Sequence, residues 1–324
     1  MDILREERFI VKVVEMHYIQ GLSQVEIAKK LGVSRTTISR TVAQARQRGY
    51  IEFKVNYPDD IEPGEEKLLE EKYGLKEAVI VCEKSDGDMG KEIASYAADY
   101  ILRVLKKKMS IAFSNGHTLY GIADCMKEDV RLKFLNTKGI EVLPLFAEYN
   151  MPPDTDEKDR IAYSNQNVEM IAELFHGHSY HFTVPPIVSS EKIRRELLEE
   201  PCIRETMTKI QNVDMAVTGI GTLDKDSFGA NVGIADESEY DRLRAKGGIG
   251  EFLLHIIDAD GKVIDDSYEG RLTCIRLEDF KKIPIRIGVA YGMRKKEAIR
   301  AVLREKLVNV LITDEHVAEY LIEN

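Results

Sequence analysis

Apolar residues at helical spacing open the chain. Ile10, Val13, Val14, His17 and Tyr18 fall on one side of a predicted helix over 3–19, where His17 reads as packing rather than chemistry. A second short helix follows, capped by Ser23, with Val25, Ile27, Ala28 and Leu31 on its apolar side. Gly32 stands where a left-handed turn residue is wanted, Val33 plugs the turn, and Ser34 caps a third helix. At about 100° per residue, Ile38, Thr41, Val42 and Ala45 share the inward face of that third helix. Thr36, Ser39, Arg40, Ala43, Gln44 and Gln47 spread over the outer side, flanked by Arg35 and Arg46. The segment 22–50 therefore reads as a helix-turn-helix.

Beyond it, the alternation of 50–57 (YIEFKVNY) predicts a short strand, and 58–64 (PDDIEPG) marks a boundary with two prolines, a glycine and acidic residues. A strongly charged helix over 65–73 follows as a connector. From residue 78 the pattern changes to short apolar runs alternating with helical stretches. The runs predict strands at 78–82, 110–113, 142–146, 179–184, 215–218, 285–289 and 308–312. Between them lie predicted helices near 91–105, 119–126, 167–175, 191–199 and 295–304. That alternation implies an α/β fold with a mostly parallel sheet covered on both faces. The expected organisation is a helix-turn-helix domain over 1–57, a linker and connector helix over 58–75, and a larger α/β domain over 76–324.

Charge gives the helix-turn-helix a partner. Residues 1–56 carry ten Lys/Arg against six Asp/Glu, a net +4, whereas the remainder carries −14. A basic head on an acidic body is the asymmetry of a chain whose head alone meets a polyanion. The expected partner is double-stranded DNA, and the expected DNA-facing set is Ser34, Arg35, Thr36, Thr37, Ser39, Arg40, Gln44 and Arg46. Hydroxyls, an amide and one central arginine suit base edges in a major groove, while the flanking arginines suit phosphates. An ordinary helical hairpin with a solvated charged face is the plainer alternative.

Composition narrows the setting. No stretch approaches the roughly 20 apolar residues that cross a bilayer, and the start MDILREER is charged and amphipathic rather than a signal peptide. No membrane association is expected. Cys82, Cys125, Cys202 and Cys274 are far apart and form no CxxC pair, which argues against a zinc or thiol redox motif and for a cytoplasmic protein. The cluster His176, His178 and His181 reads as loop and strand rather than a metal site.

Three loops sit where α/β sheets collect ligands, just after strands. They are 114–118 (SNGHT), 219–227 (GIGTLDKDS) and 291–295 (YGMRK). None matches a P-loop or a dinucleotide fingerprint, and singly each is simple turn chemistry as readily as a binding loop.

In order and spacing, several segments resemble the SorC family of bacterial transcription regulators, often grouped with sugar-binding DeoR-type regulators. They are the 34–49 recognition region, 115–120 (NGHTLY), 218–221 (TGIG), 247–251 (GGIGE), and 292–299 running into 308–315 (VNVLITDE). The resemblance implies a C-terminal sugar-phosphate sensor whose fold is similar to sugar-phosphate isomerases and CoA transferases, without turnover and without a cofactor. It implies homo-oligomers, a tetramer or dimer of dimers, whose assembly and operator affinity follow a phosphorylated sugar or polyol. Carried onto this chain, the effector-binding set is Asn115, Gly116, His117, Thr118, Gly221, Thr222, Gly248, Glu251, Gly292 and Lys295. Phosphate would fall on Gly116, His117, Thr118 and Lys295, and Glu251 would accept hydrogen bonds from sugar hydroxyls. A carboxylate suits hydroxyls and repels phosphate, so the two charges give the cavity a direction.

The chain also departs from the family pattern. Ser114, Asn115 and His117 occupy a loop where many members carry smaller or basic residues, and Tyr291 stands where a second glycine is common. Some relatives bond the sugar through a lysine after the third strand; here 146–150 reads FAEYN, so no Schiff base is expected. A non-phosphorylated polyol stays open as the ligand. So do two other classes of function: an isomerase-like or hydrolytic enzyme bearing a DNA-binding head, and a constitutive DNA-binding scaffold. No Ser–His–Asp, metal or paired-carboxylate set assigns acid and base roles for the enzyme.

Overall fold

In the computed structural model, which describes residues 3–51, 53, 63–83, 87–147, 165–224 and 236–324, the first apolar pattern becomes a three-helix unit. Its helices are α1 (Ile3–Val14), continuing as a π-helical segment Glu15–Ile19, then α2 (Gln24–Leu31) and α3 (Arg35–Gln47). Their starts are set by side chains. Glu26 N–H donates to Ser23 Oγ (3.3 Å) while Ser23 N–H donates to Glu26 Oε2 (2.8 Å), a reciprocal cap that satisfies two amides otherwise without partners. Those bonds hold the Glu26 carboxyl below its ordinary range. Gly32 closes α2 at φ +67°, and Thr37 N–H donates to Ser34 Oγ (3.0 Å) to open α3. Ile10, Val13, Met16, Ile27, Ile38, Val42 and Ala45 form the core, but Val25 is 60% exposed and belongs to the surface. The expected strand over 50–57 lies mostly outside the described residues, and Ile51 and Phe53 are not in a strand.

The chain divides into two compact units, Met1–Pro58 and Asp59–Asn324. The charged helix α4 (Pro63–Tyr73) belongs to the second. Leu69 and Tyr73 are buried in its core, and Tyr73 O–H donates to Leu321 O (2.9 Å). Two acidic residues of α4 bind backbone amides: Glu70 Oε1 accepts from Ala78 N–H and Glu66 Oε1 from Ile80 N–H, both at 3.1 Å. Those amides line the open side of β1 (Glu77–Val81), an edge strand that would otherwise present unpaired donors.

The second unit is built on a parallel sheet. After β1 come β2 (Ser110–Phe113), β3 (Glu141–Pro144), β4 (His178–Ser179) and β5 (Met215–Gly219), and later β9 (Ile285–Val289) and β10 (Val310–Asp314). Their order across the sheet is β1-β10-β9-β5-β2-β3-β4, every pairing parallel. Alternating side chains feed opposite faces. Ile111, Phe113, Met215 and Val217 pack with helices α5 (Met89–Val104), α6 (His117–Lys127) and α7 (Asn165–Leu174). Ala112, Ala216 and Leu311 face α4 and the later helices α8 (Glu191–Glu199), α9 (Pro201–Gln211), α10 (Glu237–Ala245), α11 (Lys296–Arg304) and α12 (Glu315–Glu323).

Two features differ from the sequence expectation. The run 179–184 supplies only one strand residue, Ser179, because β4 is an edge whose neighbour β3 ends at Pro144, which has no amide to donate to it. Phe182 and Val184 are buried all the same, which accounts for the apolar run. A second, antiparallel sheet of β6 (Gly221–Thr222), β7 (Gly250–Phe252) and β8 (His255–Ile257) is also present.

Candidate functional site

On α3 the expected inward face is inward: Ile38, Thr41, Val42 and Ala45 are buried. Ser34, Arg35, Thr36, Thr37, Ser39, Arg40, Gln44 and Arg46 are all exposed. They are not equivalent. Ser34 and Thr37 are engaged in the cap, with their hydroxyl oxygens 2.8 Å apart. Arg46 donates to the Tyr18 hydroxyl oxygen (3.0 Å) and lies 5.3 Å over the Phe53 ring, so it is anchored on the unit's own aromatic residues. By helical geometry, Thr36, Arg40, Ala43 and Gln47 lie most directly opposite the buried face, with Gln44 to one side of them. His17 packs as expected, its Nδ1 2.9 Å from Leu22 O and its ring against Tyr18.

In the larger unit the strand order reverses between β2 and β5. Chain leaving β2 runs outward to β3, while chain leaving β5 runs the other way to β9. Such a switch point opens a crevice beyond the carboxyl ends of the strands. A cavity of about 320 Å³ occupies that place, lined by the loop and helix start at 114–119, by 218–222, and by Phe146, Glu251, Leu253, Leu254, Tyr291 and Lys295. Ser114 stitches its two sides together: Ser114 N–H donates to Val217 O (2.9 Å) and Gly219 N–H to Ser114 Oγ (3.3 Å).

Eight of the ten expected effector residues line this cavity: Asn115, Gly116, His117, Thr118, Gly221, Thr222, Glu251 and Lys295. Gly248 and Gly292 do not. A Cβ on Gly248 would stand within 2.8–3.0 Å of Ile256, Leu223 and Ile264, so this glycine serves close packing. Gly292 shapes the loop that delivers Lys295, with φ +90° and its N–H donating to Asp314 Oδ2 (2.6 Å).

The cavity wall carries two chemically distinct kinds of group. Helix α6 begins at Gly116 (φ +129°), and no side chain caps that terminus. A helix start of this kind favours anions through its first-turn amides and its dipole. Lys295 lines the same cavity, its ammonium over the Tyr291 ring; burial first, then Arg294, lowers its pKa, and no described carboxylate pairs with it. Glu251, in the same lining, is buried. Loss of solvent pushes its pKa up to about 7, against the opposing effect of a 3.5 Å hydrogen bond from Tyr240 O–H. Gly250 allows this arrangement: its Cβ would stand 2.6 Å from Ala298 Cβ, so β7 can press against α11 only without a side chain there.

Leu253 and Leu254 were not anticipated as lining residues. They form the two-residue turn between β7 and β8 with φ +52° and +72°, and both are buried. Such turns favour Asn and Gly, so paired leucines carry backbone strain while giving the cavity an apolar wall. Phe146 and Ile220 add to it. Apolar residues of this kind look like ordinary core in a sequence.

The histidine cluster is dispersed into structural contacts. His178 lies in β4 with its ring against Tyr180, and His181 Nε2 is 2.9 Å from Glu169 of α7, an acidic partner distant in sequence. Among the described residues, only Glu83, Glu315 and His316 gather three ligand-type atoms, and Glu83 and His316 are exposed. No helix of the described residues is long and apolar enough to cross a membrane.

A helix-turn-helix unit joined to a unit with a polar cavity at a sheet switch point is the organisation of a DNA-binding regulator with a small-molecule-binding domain. Known proteins point the same way. The profile of the family described as "Putative sugar-binding domain" matches residues 64–323, and that of sigma-70 region 4 matches residues 12–48. The deoxyribonucleoside regulator of Bacillus subtilis (strain 168) is 26% identical over 322 residues, 98% of each chain. The sorbitol operon regulator of Klebsiella pneumoniae is 25% identical over 323 residues, again 98% of each. The crystal structure of full-length SorC from Klebsiella pneumoniae matches with a TM-score of 0.69 at 24% identity, covering 97% of this chain and 98% of that one. The chain belongs to this sugar-binding family of SorC-type transcription regulators. The relatives are regulators, and the enzyme reading is set aside.

Proposed function

We propose that this regulator controls a carbohydrate-metabolism operon and that its operator affinity answers to a phosphorylated sugar held in the cavity beyond β2 and β5. The chemistry of that cavity's lining supports the reading: an uncapped helix start, a lysine with no described carboxylate partner and a buried carboxyl share one wall. Phosphate would sit on the first-turn amides of α6, the Thr118 hydroxyl and Lys295. Glu251 would take hydrogen bonds from sugar hydroxyls, with Asn115, His117, Gly221 and Thr222 along the sides. A volume of about 320 Å³ suits a monosaccharide phosphate. On α3, Thr36, Arg40 and Gln44 would read bases while Arg35 meets phosphate. Two or more heads joined through the larger units would bind an operator far more tightly than one, so a ligand that favours one assembly over another changes affinity at a distance.

Calorimetry against a panel of sugar phosphates and the matching free sugars or polyols tests the ligand class. At least one phosphorylated compound should bind wild type and lose that binding with Lys295→Ala. A panel in which only unphosphorylated polyols bind, indifferent to Lys295→Ala, overturns the phosphate assignment.

A further inference from the structure

The larger unit has a second cavity, of about 250 Å³, that shares no lining residue with the first. It lies under α8 and α9 and is lined by Arg194, Arg204, Gln211, Cys274, Arg276 and Asp279, with Leu198, Met207 and Thr208. Gln211 ends the helix that feeds the start of β5, and Asp279 belongs to the short helix Leu277–Phe280 that feeds the start of β9. The cavity is therefore associated with the amino ends of these strands, whereas the effector cavity lies beyond their carboxyl ends.

Its charge is anomalous for so acidic a unit. Three guanidinium groups border one small space. Arg204 and Arg276 have no ion pair or side-chain hydrogen bond among the described residues. Arg194 uses only its Nε, which donates to Leu272 O. Burial, and then the nearby charge of Arg276, hold Arg194 below its ordinary range. The one carboxylate on the wall is already engaged: Asp279 Oδ2 accepts from Gln211 (3.1 Å) and Oδ1 from Lys282 (2.6 Å).

An ion pair lies behind the inner wall. Cys274 Sγ lies 3.4 Å from His255 Nε2, and His255 is buried with Nε2 facing Ile275 O and Nδ1 facing Glu269, both at 2.8 Å. A ring whose two nitrogens both face acceptors carries two protons. Burial opposes that charge, but Cys274 and Glu269 outweigh it, and the Glu269 carboxylate balances the imidazolium.

Arg204 and Arg276 are exposed, and Asp279 on the wall with Glu191 and Glu269 near Arg194 offset part of the charge. Guanidinium groups gathered at one small space still repel one another, and an oxyanion of at least two charges relieves that repulsion while accepting paired N–H bonds. We propose that this arginine-lined cavity is a second anion site, which takes inorganic phosphate or the phosphoryl group of a small phosphate monoester. Arg204 and Arg276 supply the charge at its mouth, and Arg194 supplies donors further in.

The site is tested by calorimetry on the full chain in a Lys295→Ala background, which disables the first cavity's phosphate end. Inorganic phosphate and glycerol 3-phosphate, titrated separately, distinguish the free ion from a monoester. The Lys295→Ala protein should bind at least one of them saturably, one per chain. Adding Arg204→Gln and Arg276→Gln should weaken that binding at least about tenfold. Neither arginine holds another described residue in place, and an unchanged melting temperature without phosphate confirms that the variant folds. Absence of saturable binding below about 10 mM, or equal binding with and without the two arginines, overturns the proposal.

Discussion

Glu251 and Lys295 are shifted in opposite directions by one cause. Each is withdrawn from water, which disfavours its charged form, so the carboxyl rises to about 7 and the ammonium falls. For Glu251 this makes stability depend on pH. Its unfolded value is near 4.5, so between about 4.5 and 7 the folded chain holds a proton that the unfolded chain has released. The stabilisation from that proton is complete below 4.5 and is lost as pH rises through 7. Glu251→Gln, which stays neutral, should match wild type near pH 4.5 and exceed it at pH 8 by up to about 3 kcal/mol. Urea unfolding at the two pH values checks this; a constant difference between them would show that burial does not govern Glu251. Both residues were legible in the sequence through their place in recognisable segments. Leu253 and Leu254 were not, because leucine contradicts the turn chemistry that their φ values require.

Among the elements, those with strong periodicity and caps were the readable ones. The Ser23 and Ser34 caps, the Gly32 turn and the inward face of α3 follow from residue type and spacing alone. The small antiparallel sheet was hidden because strands of two or three residues are too short to show alternation. Helix α4 was visible as a strongly charged connector, with nothing in its sequence to show what its acidic residues bind. That Glu66 and Glu70 cover the edge of β1 emerges only once sequence neighbours are placed in space. On α3, exposure separates eight candidate residues less well than contacts do, since Ser34, Thr37 and Arg46 already have partners within their own unit. The stripe centred on Arg40 should therefore dominate sequence reading. Arg40→Ala should cost about 1–3 kcal/mol of operator binding and relax preference at one base pair, with the salt dependence otherwise kept. Fluorescence anisotropy with operator variants across a salt series measures both quantities. Uniform weakening on every sequence with a shallower salt slope would make Arg40 a phosphate contact instead.

At the scale of the whole molecule, two units of opposite charge divide the labour. The basic head suits a polyanion, and the acidic unit keeps cationic groups such as Lys295 and Arg194 at its cavities. Sequence order alone was enough for the sheet's parallel character, but not for the strand reversal between β2 and β5 that turns three glycine loops into one site. Ligand in that site can alter DNA binding only by favouring one conformation or assembly over another. The most direct test is operator binding by the full chain, followed by anisotropy while the best-binding sugar phosphate is titrated in, for wild type and Lys295→Ala side by side. The account predicts equal operator affinity for the two proteins without ligand, and a ligand-dependent change in wild type alone. An equal response in both, or none in wild type at saturating ligand, would contradict it.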